Sequence, residues 1–426
     1  MTPLRPALHR LIPALATAAL VTVSVHATEA VTTFAGSQGS AGHADGAATA
    51  ARFSDPVGLA IDATGNVLVA DSGNHCIRRI TPAGVVTTLA GTAGVSGSLD
   101  GAAAAARFDT PSAVAVAADG TIFISDTGNH SVRRLDRSGR VSTFAGKPGS
   151  AGATNGAAAT ARFNAPLGLV VSGAGIVFVA DSGNHLIRRI DPSGTVTTLA
   201  GVAESWGDED GPAATARFNG PVGLALDPSG ALLVADALNH AVRRITADGV
   251  VSTLVGNSSE AGFVDGPARE ARLGTPAELA LDSRGNLYVA DALYHTIRRL
   301  GVDGRLATVA GLAGADGGNN GGYNSARFFN PYGMAVTSRG TLVITDTFNA
   351  TLRELVAPFA LRVLAPERVI QWESQPGQRY QVYTCTDWSQ PWTSVGSPIT
   401  ASGNTTEWTD TVSAPSRERW YQIRIP

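Results

Sequence analysis

Five histidines recur along the chain at a spacing of 55 residues, and neutral imidazole is the commonest nitrogen ligand for metals in proteins. If some of them met at one point they would hold zinc or calcium, so the sequence leaves open whether a cofactor binds. An aspartate precedes each histidine by four residues, and Asp and Asn favour tight turns by bonding backbone amides. A residue needed once for chemistry is seldom copied five times, which favours turn architecture over metal ligation. The candidate metal ligands are His75, His130, His185, His240 and His295.

Positions that break the repetition form a second set of candidates, because a functional site in a protein built from copies must be asymmetric. Glu278 stands where the other copies have glycine or alanine, and its carboxylate is a candidate catalytic base. Tyr294 replaces an asparagine, and the segment "ESWGDEDG" groups Trp206, Asp208 and Glu209 in one copy alone. We expect these five residues to contact a ligand. Drift in a tolerant repeat is the alternative.

The repeated unit predicts the architecture. Its second half holds four short β-branched runs separated by Gly, Pro, Asp and Asn, as in "VGLAID", "NVLVAD", "CIRRI" and "VVTTLAG". Four strands per unit predict one blade, and six units predict an all-β, six-bladed β-propeller. The copies align on Arg52, Arg107, Arg162, Arg217, Arg272 and Arg327, which are 55 residues apart.

The sixth copy lacks a fourth strand, because Pro358 follows soon after its third strand. The run "VTTFAG" at residues 31 to 36 matches the fourth strands of other copies, and no other strand of a blade precedes it. We expect this run to complete the sixth blade, since such closure removes the exposed strand edges of an open array.

Strands of a blade alternate in direction, so the turn between the second and third strands shares one face with the linker to the next blade. This linker face carries the "DSGNH" turns and long linkers of the form GxxGxxDGxxxxARF. The opposite face, called the turn face here, has only tight turns such as "DATGN". Loops on a rigid scaffold commonly bind ligands, so the linker face is the predicted binding surface.

An arginine pair marks the third strand of five copies, as in Arg78 and Arg79. Successive residues of a strand point to opposite sides, so each pair lies towards both neighbouring blades. Guanidinium groups suit carboxylate partners. We expect the aspartate of the "VAD" motif to bond these arginines in a ring of bridges between blades.

The first 27 residues are typical of a secretory signal, with Arg5 and Arg10 before an apolar run that ends in "VHA". The apolar run is shorter than a membrane-spanning helix, so we expect a soluble protein, secreted to the periplasm or the medium. The formal net charge of −3 disfavours nucleic acid as a partner. Cys76 and Cys385 fall in different predicted domains, which predicts two free thiols despite the oxidising compartment.

From Pro358 onwards the repeat ends, and five of the six tryptophans follow it. Short alternating runs such as "RVIQWES" and "RYQVYTCT" predict a small antiparallel β-sandwich. The predicted domains are the signal at 1–27, the propeller at 28–357 and the sandwich at 358–426. Exposed tryptophans there would stack on sugars, although sandwiches also bury aromatic rings.

The unit resembles the NHL repeat, on the strength of "VADSGNHCIRRI", "ISDTGNHSVRRL", "VADSGNHLIRRI", "VADALNHAVRRI" and "VADALYHTIRRL". The resemblance implies a six-bladed propeller over residues 31 to 356. The last copy, "ITDTFNATLREL", departs by losing the histidine and the second arginine. The C-terminal segment is similar to the fibronectin type III-like modules of exported bacterial proteins.

Two functions remain in competition. The sequence has no Gly-x-Ser-x-Gly elbow and no His-Glu-x-x-His motif, which favours an exported binding or scaffold module with a protein, peptide or glycan ligand on the linker face. The alternative is a metal-assisted lyase or hydrolase at the channel mouth, with some of the repeated histidines as ligands and Glu278 as the base. The resemblance to six-bladed lyases and lactonases implies architecture alone.

Overall fold

The structure, a computed structural model, describes residues 31–258, 260–356, 361–364, 369–374, 377–385, 393–403, 405–409 and 420–424. The predicted signal peptide, the predicted domain boundary at 357–358, Trp388 and Trp392 lie outside these residues. One compact unit covers Ala27–Pro358, and a second includes Phe359–Pro426. No helix in the described residues has both the length and the apolar character needed to cross a membrane.

The larger unit is an all-β propeller of six antiparallel sheets, as the sequence predicts. The innermost strands are Pro56–Ile61, Pro111–Val116, Pro166–Val171, Pro221–Leu226, Pro276–Leu281 and Pro331–Val336. The second strands are Val67–Asp71, Ile122–Asp126, Val177–Asp181, Leu232–Asp236, Leu287–Asp291 and Thr341–Asp346. The third strands are Cys76–Ile80, Ser131–Leu135, Leu186–Ile190, Ala241–Ile245, Thr296–Leu300 and Thr351–Val356.

The outermost strands close the ring in the predicted way. Five of them follow the third strand of their own blade, and the sixth blade takes its outermost strand from Val31–Gly36. That strand pairs antiparallel with Thr351–Val356, with Val31 opposite Leu355. The prediction that "VTTFAG" completes the last blade is therefore confirmed. The other outermost strands are Val85–Ala90, Arg140–Ala145, Val196–Ala200, Val250–Gly256 and Arg305–Ala310.

The linkers add a short fifth strand to four blades, which holds them against the edge of the sheet. In the first blade Gly46 pairs with Val86 and Ala47 with Val85. Gly46 has φ of +136°, a conformation that glycine adopts without strain. The added strands are Gly46–Ala47, Gly101–Ala102, Gly211–Pro212 and Gly266–Pro267.

On the linker face, a 3-10 turn joins the second and third strands of five blades, and the residue after it is left-handed. His75 is such a residue, with φ of +54°, and its N–H bonds the carbonyl of Ser72. In the fifth blade, residues 292–295 form an ordinary turn instead. The 3-10 turns are Ser72–Asn74, Thr127–Asn129, Ser182–Asn184, Ala237–Asn239 and Thr347–Asn349.

The apolar core lies between successive blades. One cluster joins Phe53, Val69 and Ile80 of the first blade to Val343 and Leu352 of the sixth. The innermost strands approach each other so closely that a Cβ on Gly168 would lie 2.1 Å from the carbonyl oxygen of Val222. Small residues at this position are therefore a packing requirement, against which Glu278 is an exception.

In its described residues, the smaller unit has two three-stranded antiparallel sheets, which are consistent with a small β-sandwich. Ile370 and Trp372 of one sheet pack with Tyr380 and Val382 of the other in a single buried cluster. The ring centroids of Trp372 and Tyr380 are 5.9 Å apart. Trp372 is thus a core residue rather than a sugar-stacking one. The strands are Leu361–Leu364, Val369–Glu373, Arg379–Cys385, Thr393–Thr400, Thr405–Thr409 and Trp420–Arg424.

Candidate functional site

The first arginine of each pair is the centre of a buried network that holds the linker to its blade. Arg78 is fully buried, and its Nη1 lies 2.7 Å from Oδ2 of Asp71, which is also buried. Its Nη2 donates to the linker residue Asp45 at 2.7 Å. The other oxygen of Asp45 accepts the N–H of Thr88 in the outermost strand. The guanidinium group also lies over the ring of Phe53, 5.1 Å from its centroid.

The same network recurs in all six copies, with Nη1–Oδ2 distances of 2.6 to 3.4 Å. Each bridge lies within one blade and its own preceding linker, so the prediction of bridges between blades is wrong. The physical reason is register: Asp71 pairs directly with Cys76, which places its side chain on the same side of the sheet as that of Arg78. The arginines are Arg78, Arg133, Arg188, Arg243, Arg298 and Arg353.

In the five blades with a 3-10 turn, the aspartate before the turn does not cap it, in contrast to the sequence expectation, whereas in the fifth blade Asp291 bonds the backbone N–H of Tyr294. Asp71 makes no side-chain bond to the amides of the 3-10 turn that follows it. Its Oδ1 instead accepts the N–H of Ser54, and its Oδ2 accepts the side-chain amide of Asn74. Burial is the largest influence on the pKa of Asp126, which it raises to about 6 although Arg133 acts in the opposite direction.

The repeated histidines join each blade to the next. Nδ1 of His75 accepts the N–H of Thr110 at 3.0 Å, and Nδ1 of His130 accepts that of Ala165 at 3.0 Å. His185 and His295 repeat the contact. Nδ1 of His240 contacts the carbonyl oxygen of Gly274 instead. These rings therefore have a structural use at successive blade boundaries.

The candidate metal ligands do not come together. In the part of the chain that the structure describes, no three His, Cys, Asp or Glu side chains form a group able to hold a metal ion. The correction to the metal hypothesis is geometric. Each histidine contacts the backbone that enters the next blade, so the five rings are distributed around the propeller. The five are His75, His130, His185, His240 and His295.

The acidic linker before the fourth blade lies on the linker face, as the sequence predicts. Trp206 is 66% exposed. Asp208 contacts the hydroxyl of Ser258 in the next linker, and Glu209 lies 3.6 Å from Arg217 in an exposed ion pair. The backbone carbonyl of Gly207, the residue after Trp206, accepts a hydrogen bond from the side-chain amide of Asn239. Trp206 thus lies beside the turn between the second and third strands of the fourth blade.

Tyr294 replaces the network asparagine and belongs to a local repacking of the fifth blade. Its ring packs on Phe263, with centroids 5.5 Å apart. The centroid of the Phe263 ring lies 4.5 Å from the guanidinium carbon of Arg298. Phe263 takes this place because the position of the stacking phenylalanine in the other blades is occupied by a leucine here, Leu273. The ring of Tyr294 is partly buried and has a packing role in this arrangement.

Glu278 lines the central channel, where the sequence places it. The channel has a volume of about 290 Å³ and is lined by innermost strands of all six blades. Oε1 of Glu278 accepts the N–H of Leu279 at 3.0 Å, and the N–H of Leu224 in the fourth blade also bonds the carboxylate. A Cβ on Gly223 would lie 2.6 Å from Oε1, so that glycine makes room for the carboxylate.

The surroundings of Glu278 favour its neutral form. Burial raises the pKa of Glu278 to about 8, although the two backbone amides act in the opposite direction. Tyr332, in the innermost strand of the sixth blade, is the neighbouring titratable side chain, and burial together with the charge of Glu278 raises its pKa. The carboxyl group therefore changes charge close to neutral pH.

Three exposed apolar side chains occupy the tips of adjacent turns on the linker face, and the candidates from the sequence did not include them. Leu238 is 57% exposed, Leu293 49% and Phe348 55%. The N–H of Leu238 bonds Asn219, and that of Phe348 bonds Phe329, both just before an innermost strand. These tips therefore lie beside the linker-face ends of the innermost strands. We call Leu238, Leu293 and Phe348 the apolar rim.

A signal for the apolar rim was present in the sequence. The first three blades have Gly73, Gly128 and Gly183 at the same place, in "DSGNH" or "DTGNH", whereas the last three read "DALNH", "DALYH" and "DTFNA". This change from glycine to a large apolar residue breaks the repeat as clearly as the loss of a histidine or an asparagine does. The ring of Phe329 extends the rim, because it contacts Phe348 at 5.0 Å and His295 at 5.6 Å between centroids.

Comparison with known proteins identifies the repeat. The NHL repeat family model matches residues 53–80, 108–135, 163–190 and 218–245. "Protein SUPPRESSOR OF QUENCHING 1, chloroplastic" of Arabidopsis thaliana is 31% identical over 289 residues, which cover 63% of this chain and 27% of that protein. The human "NHL repeat-containing protein 2" is 28% identical over 327 residues, which cover 68% of this chain and 44% of that protein. The chain thus spans less than half the length of both relatives.

Solved structures show the same fold at lower sequence identity. An "auxiliary nutrient binding protein" from Bacteroides thetaiotaomicron superposes with a TM-score of 0.59 at 18% identity, over 76% of each chain. At this identity the likeness concerns the fold.

Proposed function

We propose that this chain, whose NHL repeats form a six-bladed β-propeller, is an exported binding module with its ligand on the linker face. The ligand contacts the apolar rim over the fourth, fifth and sixth blades. Of the protein, peptide and glycan ligands considered from the sequence, a peptide with apolar groups fits this surface best. A small molecule with apolar groups fits it equally well. The C-terminal sandwich is a separate unit with no part in the proposal.

The apolar rim is the observation that carries this proposal. Exposed leucine and phenylalanine side chains at three turn tips have no use in the folding of those turns, since the first three blades form them with glycine. Exposed apolar groups are typical of binding surfaces. Their restriction to three adjacent blades supplies the asymmetry that a single site on a propeller needs.

The remaining exposed apolar residues support the same half of the same face. Trp206 and Val264 lie in linkers of the fourth and fifth blades, and Leu312 lies in that of the sixth. Among the described residues, only Val95 and Leu99 are exposed apolar residues in a linker of an earlier blade, while Val85, Val250 and Val302 lie towards the turn face. Aromatic rings such as Trp206 commonly contribute most to binding at such surfaces.

The proposal can be tested by removing the rim without altering the fold. In a triple variant, Leu238→Gly, Leu293→Gly and Phe348→Gly give the last three blades the residue of the first three. The full chain and the variant would be screened by thermal shift and calorimetry against defined panels of peptides, glycans and small metabolites. We expect ligands of the full chain to bind the triple variant at least about tenfold more weakly.

Val302→Ser is the matched control, because Val302 is 74% exposed but lies on the turn face. It should bind all ligands like the unmodified chain. Ligands that bind the triple variant with unchanged affinity would place the site elsewhere. The absence of any binder in the three panels would count against a binding module.

A further inference from the structure

We propose that the central channel binds a primary ammonium group that bears an apolar substituent, with the carboxylate of Glu278 as its counter-charge. This inference goes beyond the proposed function, because the channel cavity extends from Glu278 towards the turn face and the apolar rim lies on the linker face. The shared chemistry has two sources, a free alkyl or aryl amine and the N-terminus of a peptide. The experiment below distinguishes them.

The first step is the position of the carboxylate. Glu278 occupies a place at which close approach of the innermost strands calls for a small residue, as the contact between Gly168 and Val222 shows. Its side chain fits because Gly223 leaves space beside Oε1. Two backbone amides, those of Leu279 and Leu224, fix its orientation. A carboxylate held in this way is preorganised for a ligand that brings a positive charge.

The second step is the lack of a cation in the surroundings. Every other residue that lines the channel is apolar or glycine. From the sixth blade Tyr332 faces Glu278 with a neutral hydroxyl, and from the fourth blade Leu224 contributes its amide. The lining residues therefore contain no arginine, lysine or histidine to neutralise the carboxylate. Glu278 is half-buried at the wall of the cavity. A carboxylate in apolar surroundings is stable when it is paired, and a ligand ammonium group supplies that partner.

The third step is the shape of the space. A cavity of about 150 Å³ accepts benzene, so a channel of about 290 Å³ has room for one ring or a branched alkyl group with a short chain. Leu59, Val114, Leu169 and Met334 supply an apolar wall. From the level of Glu278 the space extends to Ile61, Val116, Val171 and Val336, at the ends of the innermost strands that lead to the turn face. The ammonium group thus lies inside, and larger apolar parts of the ligand extend towards the turn face.

The protonation state follows from the same surroundings. The pKa of Glu278, about 8 in the free protein, means that most molecules carry a neutral carboxyl group at pH 7. An ammonium ligand stabilises the ionised form, so one proton leaves the Glu278 carboxyl group for the buffer while the ligand keeps its own. Ligand binding at pH 7 should therefore release a proton from Glu278.

The experiment is calorimetry of the full chain with phenethylamine at pH 7, in two buffers with different ionisation enthalpies. We expect saturable binding, the release of a proton, and an affinity that rises about tenfold per pH unit between pH 6 and pH 7. The uncharged isostere 2-phenylethanol and the anion phenylacetate should bind at least about tenfold more weakly. The peptide Leu-Phe-Leu amide, with a free or an acetylated N-terminus, tests the second source.

Two variants separate the ammonium site from a general apolar site. Glu278→Gln keeps the shape and should reduce phenethylamine binding at least about tenfold, abolish proton release and leave 2-phenylethanol unchanged. Glu278→Gly, which restores the residue of four other blades, should do the same. Melting curves check that both variants fold. Unchanged phenethylamine affinity in Glu278→Gln, equal binding of phenylacetate, or no binding to the full chain would overturn the inference.

The triple rim variant distinguishes failure of this inference from failure of the proposed function. If ligands from the panels depend on the rim but not on Glu278, the binding module stands and the ammonium chemistry falls. If phenethylamine depends on Glu278 and no panel ligand depends on the rim, the channel site stands and the rim function falls. If the peptide with a free N-terminus binds and the acetylated peptide does not, the N-terminus of a peptide can supply the ammonium group.

Discussion

Val31 lies directly opposite Leu355 in the sixth blade, so the first described strand and the last strand of the propeller close the ring together. Both side chains are fully buried in one cluster with Met334 and Ile344. The backbone of Val31 also exchanges two hydrogen bonds with Gly321 in the last linker, each of 3.0 Å. The closing strand is thus bonded along both of its edges.

We therefore predict that Val31→Asp destabilises the propeller far more than a change near a usual N-terminus. An unpaired carboxylate in this cluster should lower the free energy of unfolding by more than about 3 kcal/mol. Urea denaturation followed by tryptophan fluorescence and circular dichroism measures the loss. Thr32→Ser in the same strand is the control and should change stability by less than about 0.5 kcal/mol. Equal stability of the two variants would contradict the closure argument.

The closure shows how far the repeat carries prediction of the fold. The register of "VTTFAG" with other fourth strands was sufficient, because a strand with an open partner edge and a matching pattern has one place to pair. The direction of the arginine bridges was not predictable in the same way. That direction depends on two contacts: Asp71 and Arg78 lie on the same side of the sheet, and the linker residue Asp45 bonds Arg78. The alternation of side chains along a single strand specifies neither contact.

The network contains its own controls. Two linkers have asparagine where the others have aspartate, and Asn155 and Asn320 still bond Arg188 and Arg353 at 2.8 Å. We therefore predict that Asp100→Asn changes the free energy of unfolding by less than about 1 kcal/mol, since the linker carboxylate is partly exposed. Chemical denaturation measures this change.

Asp126→Asn should behave differently, because it leaves the guanidinium of Arg133 buried without its buried carboxylate. We expect a loss of about 3 to 5 kcal/mol, measured in the same denaturation series. Asp126 and Asp100 bond the same arginine, so the pair compares a buried with a partly exposed partner. Similar losses for both variants would show that burial does not determine the strength of these bridges.

The fifth blade offers a test of compensation. In the other blades a phenylalanine before the innermost strand stacks on the buried arginine, but the fifth blade has Leu273 at that position. Phe263 stacks on Arg298 instead, and Tyr294 packs on Phe263. We predict that Leu273→Phe and Phe263→Ser each destabilise the chain by about 1 to 3 kcal/mol, by overpacking and by loss of the stacked ring respectively.

The double variant should lose at least about 1 kcal/mol less than the sum, because the new phenylalanine takes the place under Arg298. A double-mutant cycle from urea denaturation gives this coupling. The corresponding substitutions in the second blade, Phe108→Leu and Ser98→Phe, form a matched cycle. Additive losses in the fifth blade would show that the two positions do not exchange roles.

The candidate site was only partly readable from sequence. Glu278 was found because it breaks a column of small residues whose cause is close strand packing. The spacing of the histidines did not distinguish a ring at a blade boundary from a metal ligand, because either would recur with the period of the repeat. Leu238 and Phe348 were not among the candidates, although they also replace the glycine of other copies. The sequence does not show whether a leucine or phenylalanine in a turn is exposed or packed in the core.

Glu278 should give the propeller a pH-dependent stability that its variants lack. Its pKa is about 8 in the folded state against an ordinary value of 4.5, so the folded state binds more protons than the unfolded state between these two pH values. Stability then falls as pH rises from about 4.5 to about 8, and this contribution is constant above pH 8. The opposite direction would require a folded pKa below the unfolded one.

We therefore predict that Glu278→Gln stabilises the chain relative to the unmodified protein at pH 8 and has a smaller effect at pH 5. Denaturation midpoints across this range measure the difference, which should increase with pH because the amide has no charge to bury. Glu204→Gln is the control, since Glu204 is exposed in a linker, and its difference should remain nearly flat with pH. A flat difference for Glu278→Gln as well would mean that the channel carboxylate is already ionised and hydrated at pH 5.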